Sequence, residues 1–327
     1  MSLSVDDLAR GVRSGDRGLL ARAITLVESR RGADRDRARE LVARLRADRT
    51  PATRVGVSGL PGAGKSTLID ALGARLVESG RRPAVLAVDP SSALSGGSIL
   101  GDKSRMPRLA RLSEAYVRPS PSAATLGGVA RRTREAALVC EAAGFDPVLI
   151  ETVGVGQSEA AVADMVDVLV VLLLPGGGDE LQGLKKGILE LADVVVVHKA
   201  DGERTPLARE AVRDVSAALR LAAPHRPGAG TPVALAASAK EGTGLDELWS
   251  AVVERRAALA ESGELEARRA ERRERWMWAL IEERLGALFR GRPAVQDALG
   301  STRAAVRDGE LGPEEAAERL LDAFRTE

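Results

Sequence analysis

Gly59-Leu60-Pro61-Gly62-Ala63-Gly64-Lys65-Ser66-Thr67 is the stretch on which the fold turns. It fits Gly-x-x-x-x-Gly-Lys-[Ser/Thr], a loop whose backbone N–H groups cradle phosphates. Just before it, Val55-Gly56-Val57 reads as a strand, and just after it Leu68-Ile69-Asp70-Ala71-Leu72 carries a helical pattern. A strand, a glycine loop and a helix N-terminus in succession aim several N–H groups at one point. The helix dipole favours an anion there. The expected ligand is a nucleoside triphosphate. Lys65 is expected to reach its β- and γ-phosphates, and Ser66 to place a hydroxyl on Mg²⁺.

Outward from this loop, residues 51 to about 240 alternate short β-branched runs with helical patterns. The runs lie at 53–57, 84–88, 147–151, 168–174, 194–197 and 233–235. Apolar runs without polar alternation mark strands buried on both faces. With helices between them they predict an α/β fold, a doubly wound and mostly parallel sheet. Ligands of such sheets sit at the C-terminal ends of the strands.

Residues 1–50 carry no strand signal. Apolar positions recur at helical spacing at Leu19, Leu20, Ala23, Ile24 and Val27, and again at Ala38, Leu41, Val42 and Leu45, with Gly11, Gly15 and Gly32 separating the pieces. They read as a helical extension packed on a nucleotide-binding domain at 51–260. Residues 261–327 read as a helical C-terminal arm. Its first part, 264–290, is a long charged helix with Trp276, Trp278, Leu280, Ile281, Leu285, Leu288 and Phe289 on the apolar side, and two shorter helices follow Gly291-Arg292-Pro293. Such a stripe is covered either by its own domain or by a second copy of the chain, and the sequence leaves both open.

The 48 basic and 47 acidic residues balance to a net charge of +1, which gives no reason to expect nucleic acid or an anionic membrane as partner. Aromatic residues make up 2% of the chain, so the core must be built from Val, Leu, Ile and Ala. One cysteine, Cys140, excludes an internal disulfide and sits in an apolar helical pattern, where a buried, inert thiol is expected. The N-terminus is acidic and lacks the apolar core of a signal peptide. The longest apolar run, at 168–174, falls well short of the about 20 residues that span a bilayer. A cytoplasmic protein is expected.

Further segments bear on the nucleotide. His198-Lys199-Ala200-Asp201 follows a strand and resembles the Asn-Lys-x-Asp base motif of GTPases, with His198 where Asn is usual. An aspartate there accepts from two donors on guanine that adenine lacks, so a wrong base leaves it desolvated and unpaired. GTP is therefore favoured over ATP. Ser238-Ala239-Lys240 follows the last strand, as the Ser-Ala-Lys loop of GTPases does. Glu151-Thr152-Val153-Gly154 resembles the Asp-x-x-Gly switch, with Glu for Asp: the acid would approach Mg²⁺ and the Gly154 N–H would contact the γ-phosphate. Asp89 and Asp102, in a Gly/Ser-rich stretch after the second predicted strand, are further candidates for holding Mg²⁺ or water. Another charged glycine loop, Gly176-Gly177-Gly178-Asp179-Glu180-Leu181-Gln182-Gly183-Leu184-Lys185-Lys186, follows the run at 168–174.

Taken together, Asp89-Pro90-Ser91-Ser92, Gly96-Gly97-Ser98-Ile99-Leu100-Gly101-Asp102-Lys103, Glu151-Thr152-Val153-Gly154-Val155-Gly156-Gln157-Ser158-Glu159 and Asp179-Glu180-Leu181-Gln182-Gly183 resemble the MeaB/ArgK family of G proteins. These are GTPase chaperones of adenosylcobalamin-dependent acyl-CoA mutases, chiefly methylmalonyl-CoA mutase. The resemblance covers most of the chain. It implies a P-loop NTPase of the SIMIBI type, GTP hydrolysis with Mg²⁺, a C-terminal arm that makes a homodimer, and a third switch at Asp179, Glu180, Gln182, Lys185 and Lys186 that relays nucleotide state to the mutase. Val155 follows Gly154 where the best-known small GTPases carry glutamine, so slow intrinsic turnover is expected.

The chain's only histidines, His198 and His225, do not fall in the Asp-x-His-x-x-Gly cobalamin-ligand pattern, so the partner and not this chain is expected to carry cobalamin. A nickel-delivery GTPase would need a His/Cys cluster, which one Cys and two distant His do not supply. An ATPase tied to basic amino-acid transport and a non-hydrolysing dimeric scaffold are the remaining rivals.

Overall fold

The structure, a computed structural model, describes residues 3–29, 31–46, 51–89, 105–121, 126–152, 158–176, 190–222 and 232–325. Mostly valine-rich segments become the strands of one sheet. These are β1 (Arg54–Gly59), β2 (Ala84–Asp89), β3 (Tyr116–Pro121), β4 (Val148–Glu151), β5 (Val168–Leu173), β6 (Val194–His198) and β7 (Val233–Ala237). Their order is β3-β2-β4-β1-β5-β6-β7, and every pairing is parallel. Val55 of β1 sits between Leu149 of β4 and Val168 of β5, which brings the C-terminal ends of the central strands to one edge.

The sequence patterning missed β3. Tyr116-Val117-Arg118-Pro119-Ser120-Pro121 holds two prolines, and each removes a ladder donor. The strand lies at the end of the sheet beside β2 alone, where one side needs no partner, and prolines are tolerated there. Glu151 therefore ends the fourth strand in the chain and not the third.

The helices are α1 (Val5–Arg13), α2 (Arg17–Glu28), α3 (Gly32–Arg46), α4 (Lys65–Glu78), α5 (Leu126–Ala142), α6 (Ser158–Ala163), α7 (Thr205–Ala222), α8 (Leu245–Glu261), α9 (Glu264–Gly291), α10 (Pro293–Arg307) and α11 (Pro313–Arg325). Ser4 and Asp7 form a capping box at the start of α1, and Asp16 caps α2 by accepting from the Leu19 N–H at 2.9 Å. Strand residues alternate between two cores. Leu86, Ile150, Leu169 and Val171 pack with Leu20, Ile24, Leu41 and Leu45 of the N-terminal helices. Val57, Val85, Leu149 and Val170 pack with Leu68 and Ile69 of α4 and Leu248 and Val252 of α8. Both faces are thus covered, as an all-parallel sheet requires.

Gly11 does not separate helices. It lies inside α1, and a Cβ there would come within 2.1 Å of Leu19, so its missing side chain lets α1 and α2 meet. Cys140 is fully buried in α5, and burial pushes its thiol pKa up, away from the reactive thiolate.

At the N-terminal edge of the strands, two buried aspartates fix the following helices. Asp193 accepts the Leu169 N–H at 2.9 Å and pairs with Arg255 at 3.1 Å and Arg268 at 3.4 Å. Asp167 accepts the Arg54 N–H at 3.2 Å and pairs with Arg269 at 2.8 Å.

The chain divides into two compact units, Met1–Arg269 and Ala270–Glu327. Within the second, the rings of Phe289 and Phe324 lie 5.5 Å apart, and Val295, Thr302 and Ala316 are buried. Met277, Trp278, Ile281, Leu285 and Leu288 on α9 are exposed. Among the described residues, no helix is long and apolar enough to cross a membrane.

Removing one member of a buried ion pair leaves the other's charge in a dry setting. Asp193→Ala is expected to cost about 3 kcal/mol or more. Urea unfolding measures this, and a loss below about 1 kcal/mol, the value of an exposed pair, contradicts it.

Candidate nucleotide site

The glycine loop joins β1 to α4. Gly64 is the N-cap of α4, with φ +90°, and no side chain caps the helix. A Cβ at Gly64 would lie 2.8 Å from the His198 imidazole, so glycine is required both by the left-handed backbone and by the close approach. The N-cap residue thus puts no side chain of its own at the start of α4, and the N-terminal end of a helix is where an anion is favoured. Leu60 is half-buried, Pro61 and Gly62 are exposed, Ala63 is buried, and Thr67 is exposed in the first turn.

Lys65 is buried, and its ammonium donates to the carbonyls of Gly59 at 2.8 Å and Leu60 at 3.1 Å. The cation is therefore held against the loop. The Ser66 hydroxyl donates to Glu151 Oε1 at 2.6 Å. These two residues lie 85 positions apart, and the parallel pairing of β1 with β4 brings them together. A hydroxyl and a carboxylate are hard oxygen donors of the kind Mg²⁺ takes. The ion binds one or two protein oxygens beside phosphate and water, so it does not need a dedicated cage. Among the described residues no cluster of three or more His, Cys, Asp or Glu is present, and the Ser66–Glu151 pair fits Mg²⁺ on its own terms.

Three supports around this pair were not read from the sequence. Thr152 Oγ1 donates to Ser58 Oγ at 3.1 Å and fixes the chain just beyond Glu151. Asp70, buried on α4, accepts from the Leu109 N–H at 2.8 Å and anchors the segment before β3. Lys199 holds a left-handed backbone, φ +60°, and its ammonium donates to the Gly62 carbonyl at 2.8 Å. An aspartate inside an apolar helical pattern was the only hint of the second, Lys199 was read only as part of the base motif and not as a contact of Gly62, and the Thr152 bond had no signal.

The base-motif residues converge on the same edge. The Ser238 hydroxyl donates to Asp201 Oδ2 at 2.8 Å, and the Ala200 N–H donates to the Ala237 carbonyl at 3.2 Å, so the loops after β6 and β7 form one wall. Ala239 is buried and Lys240 exposed. His198 is buried between the walls, with Nδ1 2.7 Å from the Ala63 carbonyl and Nε2 3.4 Å from the Ala239 N–H. Burial lowers its pKa, and Lys199 adds to that, while the Ala63 bond and Asp201 act the other way.

Asp89 is the last residue of β2, and its description stops at the backbone. Asp102, Gly154, Asp179, Glu180, Gln182, Lys185 and Lys186 lie outside the described residues.

A glycine loop closing the central strand of a parallel sheet, with its helix running back along that sheet, is the arrangement of a P-loop NTPase. The profile of the family described as Methylmalonyl Co-A mutase-associated GTPase MeaB matches residues 20–294, and the chain belongs to that family. In Mus musculus, the protein described as methylmalonic aciduria type A homolog, mitochondrial, is 48% identical over 332 residues, covering 98% of this chain and 80% of its own. GTPase ArgK of Escherichia coli is 42% identical over 322 residues, covering 97% and 96%. A solved structure described as a LAO/AO transport system kinase superposes with a TM-score of 0.75 at 35% identity, covering 98% of both chains.

The lowered pKa of His198 has a consequence for stability. Below about pH 6.5 the unfolded imidazole takes a proton that the folded one resists. The unfolded state then binds more protons, so stability is fully present above that pH and is lost as pH falls toward the folded value. Unfolding titrations from pH 7.5 to 5 should show the native chain losing ground to a His198→Asn variant. A difference that does not change with pH contradicts this.

Proposed function

We propose that the chain hydrolyses GTP to GDP and phosphate with Mg²⁺, and acts as a chaperone that loads and protects an adenosylcobalamin-dependent acyl-CoA mutase, with methylmalonyl-CoA mutase as first choice. The observation that carries the hydrolase reading is the 2.6 Å contact of Ser66 with Glu151 at the head of α4, beside the buried Lys65. The mutase reading is supported by the family description.

In this reading Gly59, Leu60, Pro61, Gly62, Ala63, Gly64 and Thr67 shape the phosphate loop, and Lys65 offsets charge on the transferring phosphoryl. Ser66 and Glu151 hold the metal, aided by Asp89 and Asp102. When bound, Mg²⁺ neutralises the developing phosphate charge. The chain's residues then act by positioning, which is how phosphoryl transfer is accelerated in P-loop enzymes. Asp201 reads guanine, steadied by Ser238, with Lys199, Ala239 and Lys240 beside it. Gly154 senses the γ-phosphate, and Asp179, Glu180, Gln182, Lys185 and Lys186 relay its state to the mutase. The N-terminal extension at 1–50 packs on the GTPase domain at 51–260. The protein works in the cytoplasm, without nucleic acid or membrane, and cobalamin stays with the mutase.

Purified protein should turn GTP over slowly and faster when methylmalonyl-CoA mutase is added. Lys65→Ala should lower both rates about a hundredfold or more. A fast rate indifferent to the mutase sinks the chaperone reading. The resemblance to a LAO/AO transport system kinase favours a second reading, an ATPase tied to basic amino-acid transport. Competition between ATP and GTP separates the two: ATP displacing GTP at equal concentration supports the second.

The arm at 261–327 is proposed to form a homodimer. Trp278, Ile281, Leu285 and Leu288 are exposed at 55%, 37%, 56% and 56%, and their spacing of three, four and three is that of a coiled-coil seam. Leu285→Glu should convert the dimer to monomer in sedimentation, and a species of unchanged mass contradicts the seam.

A further inference from the structure

His198 occupies the place where base motifs carry asparagine, and its two ring nitrogens face partners of fixed roles. The Ala63 carbonyl can only accept, so Nδ1 must carry the proton of the 2.7 Å contact. The Ala239 N–H can only donate, so Nε2 must offer its lone pair at 3.4 Å. Only the neutral Nδ1–H tautomer satisfies both.

The Ala63 carbonyl and the Gly64 N–H belong to one planar peptide, and in a trans peptide they point in opposite directions. A donor behind the carbonyl therefore aims the Gly64 N–H to the other side, at the N-terminus of α4. Lys199 makes a similar contact one residue earlier, at the Gly62 carbonyl. The space for the ring exists because Gly64 lacks a Cβ, which would lie 2.8 Å from Cε1 and Nδ1. On the far side, the ring nitrogen meets the backbone of the Ser238-Ala239-Lys240 loop, whose serine hydroxyl is bonded to Asp201.

We infer that His198 is a positioning residue, a neutral imidazole that clamps the phosphate loop to the base loop, aims the Gly64 N–H at the phosphates and makes the two halves of the nucleotide site one unit. This rests on the guanine-nucleotide reading above. Asparagine, with one amide donor and one amide acceptor, can fill the same role, and alanine cannot.

The test combines GDP titration of three full-length proteins with ring ¹⁵N spectra of the native chain. His198→Ala should weaken GDP binding by about tenfold to a hundredfold, the effect of leaving a buried acceptor and a buried donor unpaired. His198→Asn should return to within about threefold of the native affinity, since both bonds are remade. With only two histidines in the chain, a His225→Asn background assigns the spectrum. It should show Nδ1 protonated and Nε2 bare at pH 7.5, and the signals should shift on adding GDP. An Nε2–H tautomer, or equal GDP affinity for native and His198→Ala proteins, overturns the proposal. If His198→Ala does not fold, the spectrum of the native ring decides. No GDP binding by the native protein at any concentration tested would instead bring down the guanine reading itself, and the clamp with it.

Discussion

Helix α4 starts at Lys65 behind an N-cap glycine, Gly64, that gives the helix no side-chain cap of its own. A buried helix end in that condition is costly in a core and useful at a surface that receives phosphate. The rest of the domain is arranged around this requirement. The loop needs β1 to deliver it to the sheet edge, and β1 is held on both sides by β4 and β5. Those neighbours run parallel to β1 and end within two residues of its level, Glu151 opposite Val57 and Leu172 opposite Gly59. Glu151 at the end of β4 thereby reaches Ser66 without any loop having to travel to it.

The same geometry supplies the other side of the site. β6 and β7 also run parallel to β1, so the turns that follow them open at the same edge. The Asp201–Ser238 bond joins those turns, and His198 and Lys199 reach the backbone of the phosphate loop. Contacts to carbonyl oxygens hold the loop from behind and leave its N–H face to the ligand. The far edge of the sheet is devoted to holding helices, through Asp167 and Asp193. The sheet thus separates a pole for stability from a pole for binding, as doubly wound folds do.

Much of this could be read from the chain. Strand runs rich in Val showed themselves because a strand buried on both faces has no polar residue to hide it. The glycine loop was legible because its spacing encodes a backbone shape. Lys65 and Ser66 followed from it, while Glu151, Asp201 and Ser238 were read from short motifs that follow later strands. β3 escaped because Pro119 and Pro121 contradict strand propensity, and only an edge position resolves that conflict. Gly11 was misread as a break because the reason for it, Leu19 of the next helix, is a tertiary contact. Asp70, Thr152 and the Lys199 backbone were hidden for the same reason: each acts on a partner far off in the sequence.

The sequence by itself determined the local shapes, namely a glycine loop between strand and helix, the strand positions with continuous apolar runs, and the residue types available at each loop. These depend on backbone freedom and hydrophobic patterning, which act over a few residues. Only the tertiary structure decided which of those residues meet. Strand order is set by how both faces of a parallel sheet are covered. That order places Glu151 against Ser66, sets β3 at the edge, and turns His198 from a departure in a motif into a contact between two loops 135 positions apart.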